Sequence, residues 1–63
     1  MPILQVNLLK GRSADQKADL IKALTDACCQ TLGTKSEAVR VILNEMEKEN
    51  FGKNGVPFSQ CRN

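Results

Sequence analysis

The first nine residues alternate with a period of two. Leu4, Val6 and Leu8 fall on one face of an extended strand over residues 2–9, and Ile3, Gln5, Asn7 and Leu9 fall on the other. Lys10, Gly11 and Arg12 interrupt the alternation as a short loop. The period then changes, and Leu20, Ile21, Leu24, Cys28 and Leu32 recur at helical spacing to form one apolar stripe. Ser13-Ala14-Asp15-Gln16 has the form of a capping box, in which the Ser13 hydroxyl accepts from the Gln16 amide and the Gln16 side chain reaches back. Gly33 stands where a helix closes in the left-handed conformation. Period two returns over residues 39–46, with Val39, Val41 and Leu43 on one face and Arg40, Ile42 and Asn44 on the other.

A strand, a long helix and a second strand predict a parallel βαβ unit with a right-handed crossover. Beyond Glu47, the glycines and Pro57 predict a loop and a short hairpin. The expected class is α+β: a two-stranded parallel sheet, one long helix and a C-terminal hairpin in a single domain over residues 1–63. One helix can cover only one face of the sheet. The other, carrying Ile3, Leu9 and Ile42, needs a second cover, because parallel sheets are rarely wet on either side. Chain length sharpens this: 63 residues, 41% of them hydrophobic, form a domain that buries only about 60% of its unfolded surface. Another copy of the same chain is the natural cover, so a homo-oligomer is expected, with the hairpin packed on a neighbour.

Charge and composition remove several classes of function. The net charge is +2 and the basic residues are spread along the chain, which does not suggest a nucleic-acid partner. No run approaches the roughly 20 apolar residues of a membrane span. The start lacks the basic region and long apolar run of a signal peptide, so a cytoplasmic protein is expected. Cys28, Cys29 and Cys61 show no C-x-x-C spacing. Cys28 reads as a small hydrophobe in the helix stripe, and Cys29 and Cys61 read as thiols without a role. Histidine is absent, which removes Ser-His and Cys-His nucleophile pairs within one chain. Cysteines and carboxylates at zinc-binding spacing are also lacking, and Gly11, Gly33, Gly52 and Gly55 match no phosphate-binding fingerprint.

Four residues remain as candidates for chemistry. Pro2 either starts an edge strand or, once Met1 is trimmed, holds a free secondary amine able to carry a proton near neutral pH. Arg12 precedes a helix N-terminus, where the dipole favours negative charge; it is a solvated loop residue or one half of an anion site. Arg40 lies in an apolar strand and requires an acceptor, either a structural carboxylate such as Glu45 or the carboxylate of a ligand. Phe51 walls a pocket or fills the core.

These features coincide in one pattern. Pro2 with its apolar strand, Leu9-Lys10-Gly11-Arg12-Ser13, Asp15-Gln16-Lys17, Val39-Arg40-Val41-Ile42, Glu45-Met46, and Phe51-Gly52 followed by Gly55 resemble the 4-oxalocrotonate (2-hydroxymuconate) tautomerase family from end to end. The resemblance implies a βαβ subunit that pairs into dimers, with three dimers forming a hexamer. It implies a cofactor-independent isomerase, free of metal, that converts an enol or dienol dicarboxylate such as 2-hydroxymuconate to its 2-oxo form. Pro2 would be the proton shuttle, and Arg12 would bind one carboxylate and draw electron density. Arg40, from a neighbouring subunit, would hold the other carboxyl end and the 2-oxygen. Phe51 would keep the pocket apolar, and the backbone at Leu9 would lie beside the substrate. Asn7, Asn54 and the tail from Val56 to Cys61 depart from the common pattern, which bears on the pocket and the subunit contacts. The alternatives are a hydratase or dehalogenase of the same superfamily, some of which recruit a tyrosine absent from this chain, or a non-catalytic oligomeric member of the fold.

Overall fold

The computed structural model describes residues 1–60; Cys61 lies outside the described residues. Strand β1 (Ile3–Leu9) is followed by helix α1 (Ala14–Leu32), a 3₁₀ turn at Ser36–Ala38 and strand β2 (Arg40–Met46). After a second 3₁₀ turn at Lys48–Asn50, β3 (Gly52–Lys53) and β4 (Val56–Pro57) form a small antiparallel hairpin. The expected βαβ unit and hairpin are both present. The second strand begins at Arg40 instead of Val39, because the Val39 amide is already used to close the preceding turn onto Ser36 O.

Strands β1 and β2 pair in parallel from Ile3↔Arg40 to Leu9↔Met46. Leu4, Val6 and Leu8 from one strand, and Val41 and Leu43 from the other, are half-buried on the face toward α1. On the outer face Ile3 and Ile42 are 63% and 49% exposed. The helix begins as its sequence requires: Gln16 N donates to Ser13 Oγ at 3.2 Å, and Ser13 N donates to Gln16 Oε1 at 3.1 Å. It ends on Gly33, whose φ of 72° is a left-handed conformation that a side chain would penalise. At the N-terminal end of the helix–sheet contact an ion pair replaces apolar packing, with Lys17 Nζ 3.1 Å from Glu45 Oε1. Cys28 and Cys29 are free thiols, half-buried along the helix. Asn54 and Gly55 turn the hairpin with φ of 58° and 86°, the paired positive angles that suit a two-residue antiparallel turn.

Among the described residues Val39 alone is buried, at 8% exposure. The radius of gyration is 14.8 Å, where a compact globule of this length would have about 11 Å. The accessible surface is 4963 Å², against about 4,000 Å² for a compact monomer of equal mass. The hairpin contributes to this excess, since it packs chiefly on the Lys48–Asn50 turn. A chain so built depends on other copies for most of its core.

Light scattering after size exclusion should therefore show an oligomer at micromolar concentration, and a stable folded monomer would contradict the burial argument. Ser13→Ala should lower stability by about 1 kcal/mol per subunit by removing the helix cap. Denaturant unfolding at fixed protein concentration measures that loss, and an unchanged midpoint would show that the cap is not limiting.

Candidate active site

The parallel register separates the candidate residues into two groups. Pro2 and Arg40 meet at the N-terminal end of the sheet, where Arg40 N donates to Pro2 O at 3.0 Å. Leu9 and Arg12 meet at the opposite end, where Arg12 Nη1 donates to Leu9 O at 3.2 Å. Phe51 follows β2 by way of the Lys48–Asn50 turn and so belongs to the side of the sheet reached by the ends of both strands. With a rise of about 3.3 Å per residue, β1 alone holds the two groups roughly 20 Å apart. A single chain brings together Pro2 with Arg40, and Leu9 with Arg12, but does not bring Pro2 to Arg12.

At the Pro2 end, strand alternation divides the pair further. Arg40 is opposite Ile3 in register and lies on the exposed outer face, whereas Pro2, one residue earlier, is half-buried toward the helix side. The guanidinium of Arg40 bends back along its own chain, and Nη1 donates to Glu37 O at 2.6 Å and Val39 O at 3.4 Å. Its intrachain acceptors are thus backbone carbonyls. Glu45, the structural carboxylate considered as its partner, is engaged by Lys17 instead. Backbone carbonyls leave the positive charge of Arg40 unneutralised and open to an anion.

At the other end, the loop that presents Arg12 is held on both sides. Lys10 N continues the strand ladder by donating to Met46 O at 2.9 Å, and Lys10 Nζ contacts Glu47 Oε1 at 2.9 Å. The hydrogen bond from Lys10 to Glu47, followed by their Coulombic attraction, raises the ammonium pKa above its ordinary 10.5. On the far side the capping box anchors Ser13 to α1. Gly11 between them has φ of 135°, a conformation unfavourable for residues with a Cβ. Arg12 makes no ion pair among the described residues, so its charge too is available.

Phe51 is 38% exposed, which argues against a simple core-filling role. Its ring meets Phe58 edge-on, with centroids 5.6 Å apart and planes at 62°, and Phe58 N donates to Phe51 O at 2.7 Å. Phe58 is a supporting residue that periodicity did not reveal, because it lies in a short 3₁₀ turn with no repeat to read. Its being the second phenylalanine of the chain was the available signal. Among the described residues no group of His, Cys, Asp or Glu could hold a metal ion, no enclosed pocket is present, and no helix is long and apolar enough to cross a membrane.

The chain is similar to known proteins over nearly its whole length. The tautomerase enzyme family matches residues 2–60. A protein named as a probable tautomerase from Ralstonia nicotianae is 45% identical over 62 residues, covering 98% of this chain and 89% of its own length. A 2-hydroxymuconate tautomerase of Pseudomonas putida is 45% identical over 60 residues, 95% of each chain. TomN, a 4-oxalocrotonate tautomerase homologue in the tomaymycin biosynthetic pathway, matches with a TM-score of 0.90 at 44% identity over 94% of this chain and 91% of its own. A heterohexameric 4-oxalocrotonate tautomerase from Chloroflexus aurantiacus gives a TM-score of 0.90 at 31% identity, over 98% of this chain and 100% of its own. With sequence and backbone agreeing over nearly its whole length, the chain belongs to the 4-oxalocrotonate/2-hydroxymuconate tautomerase family of the tautomerase superfamily.

Proposed function

We propose that this protein is a cofactor-independent keto–enol tautomerase that converts a small unsaturated dienol dicarboxylate, such as 2-hydroxymuconate, to its 2-oxo form. The observation that carries this reading is a family match that starts at Pro2 and continues to residue 60, shared with relatives named for 2-hydroxymuconate. Met1 is 79% exposed, so the Met1–Pro2 bond is accessible to trimming. While Met1 is attached, the Pro2 nitrogen is a tertiary amide with no basic lone pair. After trimming it is a secondary amine.

In its neutral form that amine takes the proton from the enol hydroxyl and, as an ammonium, returns it to a carbon at the far end of the conjugated system. Substrate and product are isomers, and the enzyme ends as it began. Arg12 and Arg40 bind the carboxylates and stabilise the negative charge that develops on the dienolate between the two transfers. Their charge, with the apolar wall of Phe51, disfavours protonation of Pro2 and keeps the base available near neutral pH. The backbone at Leu9 lines the substrate beside Arg12.

Such a site has to be shared between chains. Support comes from the distance between the Pro2 and Arg12 ends of one sheet and from the placing of Arg40 on the opposite face from Pro2. In this reading Pro2 of one subunit lies against the Arg12 end of another, and Arg40 is supplied by a neighbour. Six copies assemble as a trimer of dimers, and the protein works in the cytoplasm, where Cys28 and Cys29 stay reduced.

With trimmed protein and a dienol substrate, kcat/KM should fall on the acidic side, because protonation removes the base. The midpoint should lie below the range of about 7.7–8.0 for an ordinary α-amine. Retaining Met1, verified by intact mass, or acetylating the amine should cut activity by about 10²–10⁴-fold while circular dichroism is unchanged. Equal rates for trimmed and Met1-bearing protein would remove Pro2 from the mechanism.

Arg12→Ala and Arg40→Ala should each lower kcat/KM for a dicarboxylate by about 10- to 150-fold, the equivalent of one lost charge-assisted contact. Substrates lacking one carboxylate should lose that sensitivity at one arginine. Co-refolding Met1-bearing subunits with Arg12→Ala subunits should restore part of the activity that neither has alone. A complete absence of recovery in confirmed mixed oligomers would mean that Pro2 and Arg12 do not come from different chains.

A further inference from the structure

The proposed chemistry leaves one cluster of charges without a part. Lys10 Nζ lies 2.9 Å from Glu47 Oε1, and Lys17 Nζ lies 3.1 Å from Glu45 Oε1. The two lysines bracket the loop that ends in Arg12, one at its start and the other a turn into α1. The two glutamates are two residues apart, Glu45 in β2 and Glu47 just beyond it in extended backbone, so they share a face. The pairs also feel one another. The hydrogen bond and the charge of Glu47 raise the Lys10 pKa against desolvation, and the charge of Glu45 raises it further.

Arg12 stands apart from this cluster. The Lys10 amide faces β2, where it donates to Met46 O, so the peptide groups of Leu9, one residue earlier, face the opposite edge of β1. Arg12 Nη1 bonds to Leu9 O at that edge, away from both glutamates. Within the loop the backbone supplies little restraint, since Gly11, with φ of 135°, is the residue with the widest conformational freedom. The place of Arg12 is therefore set by how the two ends of the loop are anchored. We propose that Lys10, Lys17, Glu45 and Glu47 are positioning residues for Arg12: their ion pairs pin both ends of the loop to one short segment at the end of β2 and so hold the guanidinium at the β1 edge. The inference rests on the reading of Arg12 as a carboxylate binder and adds what keeps it in place.

The two anchors differ in strength. The Lys10 and Glu47 side chains are 65% and 50% exposed, whereas those of Lys17 and Glu45 are 30% and 28% exposed. An exposed pair contributes little by itself, and a shielded one is less weakened by salt. Lys17–Glu45 is thus the principal anchor, and Lys10–Glu47 trims the motion that remains. Two positive and two negative charges cancel, so the anchors add no net field to compete with Arg12 for an anion.

Steady-state kinetics on trimmed protein test this with Lys17→Met and Lys10→Met, which remove the charge but keep an apolar stem, each made in the parent and in Arg12→Ala. Lys17→Met should lower kcat/KM for a dienol dicarboxylate by about 3- to 30-fold, short of the roughly 10²-fold that a misplacement of about 1 Å can cost. Lys10→Met should cost about 2- to 5-fold. In the Arg12→Ala background both changes should have almost no effect, because no guanidinium is left to place. Reversing the principal pair, with Lys17→Glu and Glu45→Lys together, should regain most of what either change loses alone. Glu45→Gln breaks the same pair from the strand side and carries the test if Lys17→Met does not assemble. Equal losses in the parent and Arg12→Ala backgrounds, or parent-like kinetics in Lys17→Met, would overturn the proposal while Arg12→Ala still loses activity. Parent-like kinetics in Arg12→Ala itself would overturn both readings.

Discussion

A two-stranded parallel sheet has two faces to cover, and this chain has one helix with which to do so. Most of the remaining structure follows from that shortage. The helix side is closed by the half-buried Leu4, Val6, Leu8, Val41 and Leu43, yet among the described residues Val39 alone is buried, at 8% exposure. The outer face keeps its isoleucines in view, and the hairpin packs chiefly on the 3₁₀ turn that precedes it. Each feature would be a defect in a self-sufficient domain. In a subunit each is a surface prepared for a neighbour.

The same constraint organises the chemistry. A parallel sheet puts the start of both strands at one end and the finish of both at the other, so Pro2 and Arg40 are gathered at one pole and Leu9 and Arg12 at the other. The crossover helix enforces this separation, because it must run the length of the sheet before β2 can begin. In the proposed mechanism, bringing the Pro2 amine to Arg12 and Arg40 is therefore a matter of how chains are juxtaposed. The loop around Gly11 and the Phe51–Phe58 contact give each chain presentable ends; they do not complete a site within it.

Much of the fold was legible in the sequence because it rests on short-range rules. The switch from period two to helical period, the Ser13–Gln16 box and Gly33 set the limits of the helix almost to the residue. Strand β2 starts one position later than the alternation predicts, since Val39 fits the pattern but spends its amide on the preceding turn. Long-range partners were harder to read. The pairing of Lys17 with Glu45, and of Lys10 with Glu47, depends on the register between strands and on which helix turn lies over which strand residue, quantities that no local pattern contains. Arg40 illustrates the same limit: its need for an acceptor was apparent, but the carbonyls of Glu37 and Val39 become available only when the turn before β2 is formed. The two poles of the site were likewise invisible until the strands were aligned.

A core reduced to Val39 also makes abundance a physical variable for this protein. When the folded state exists only among associated copies, its free energy carries a mass-action term, and dilution acts as a denaturant would. A released chain would leave Ile3 and Ile42 uncovered and would be exposed to proteases and chaperones. Catalytic output would then fall more steeply than protein level as synthesis declines, giving the cell a threshold without a dedicated regulatory site.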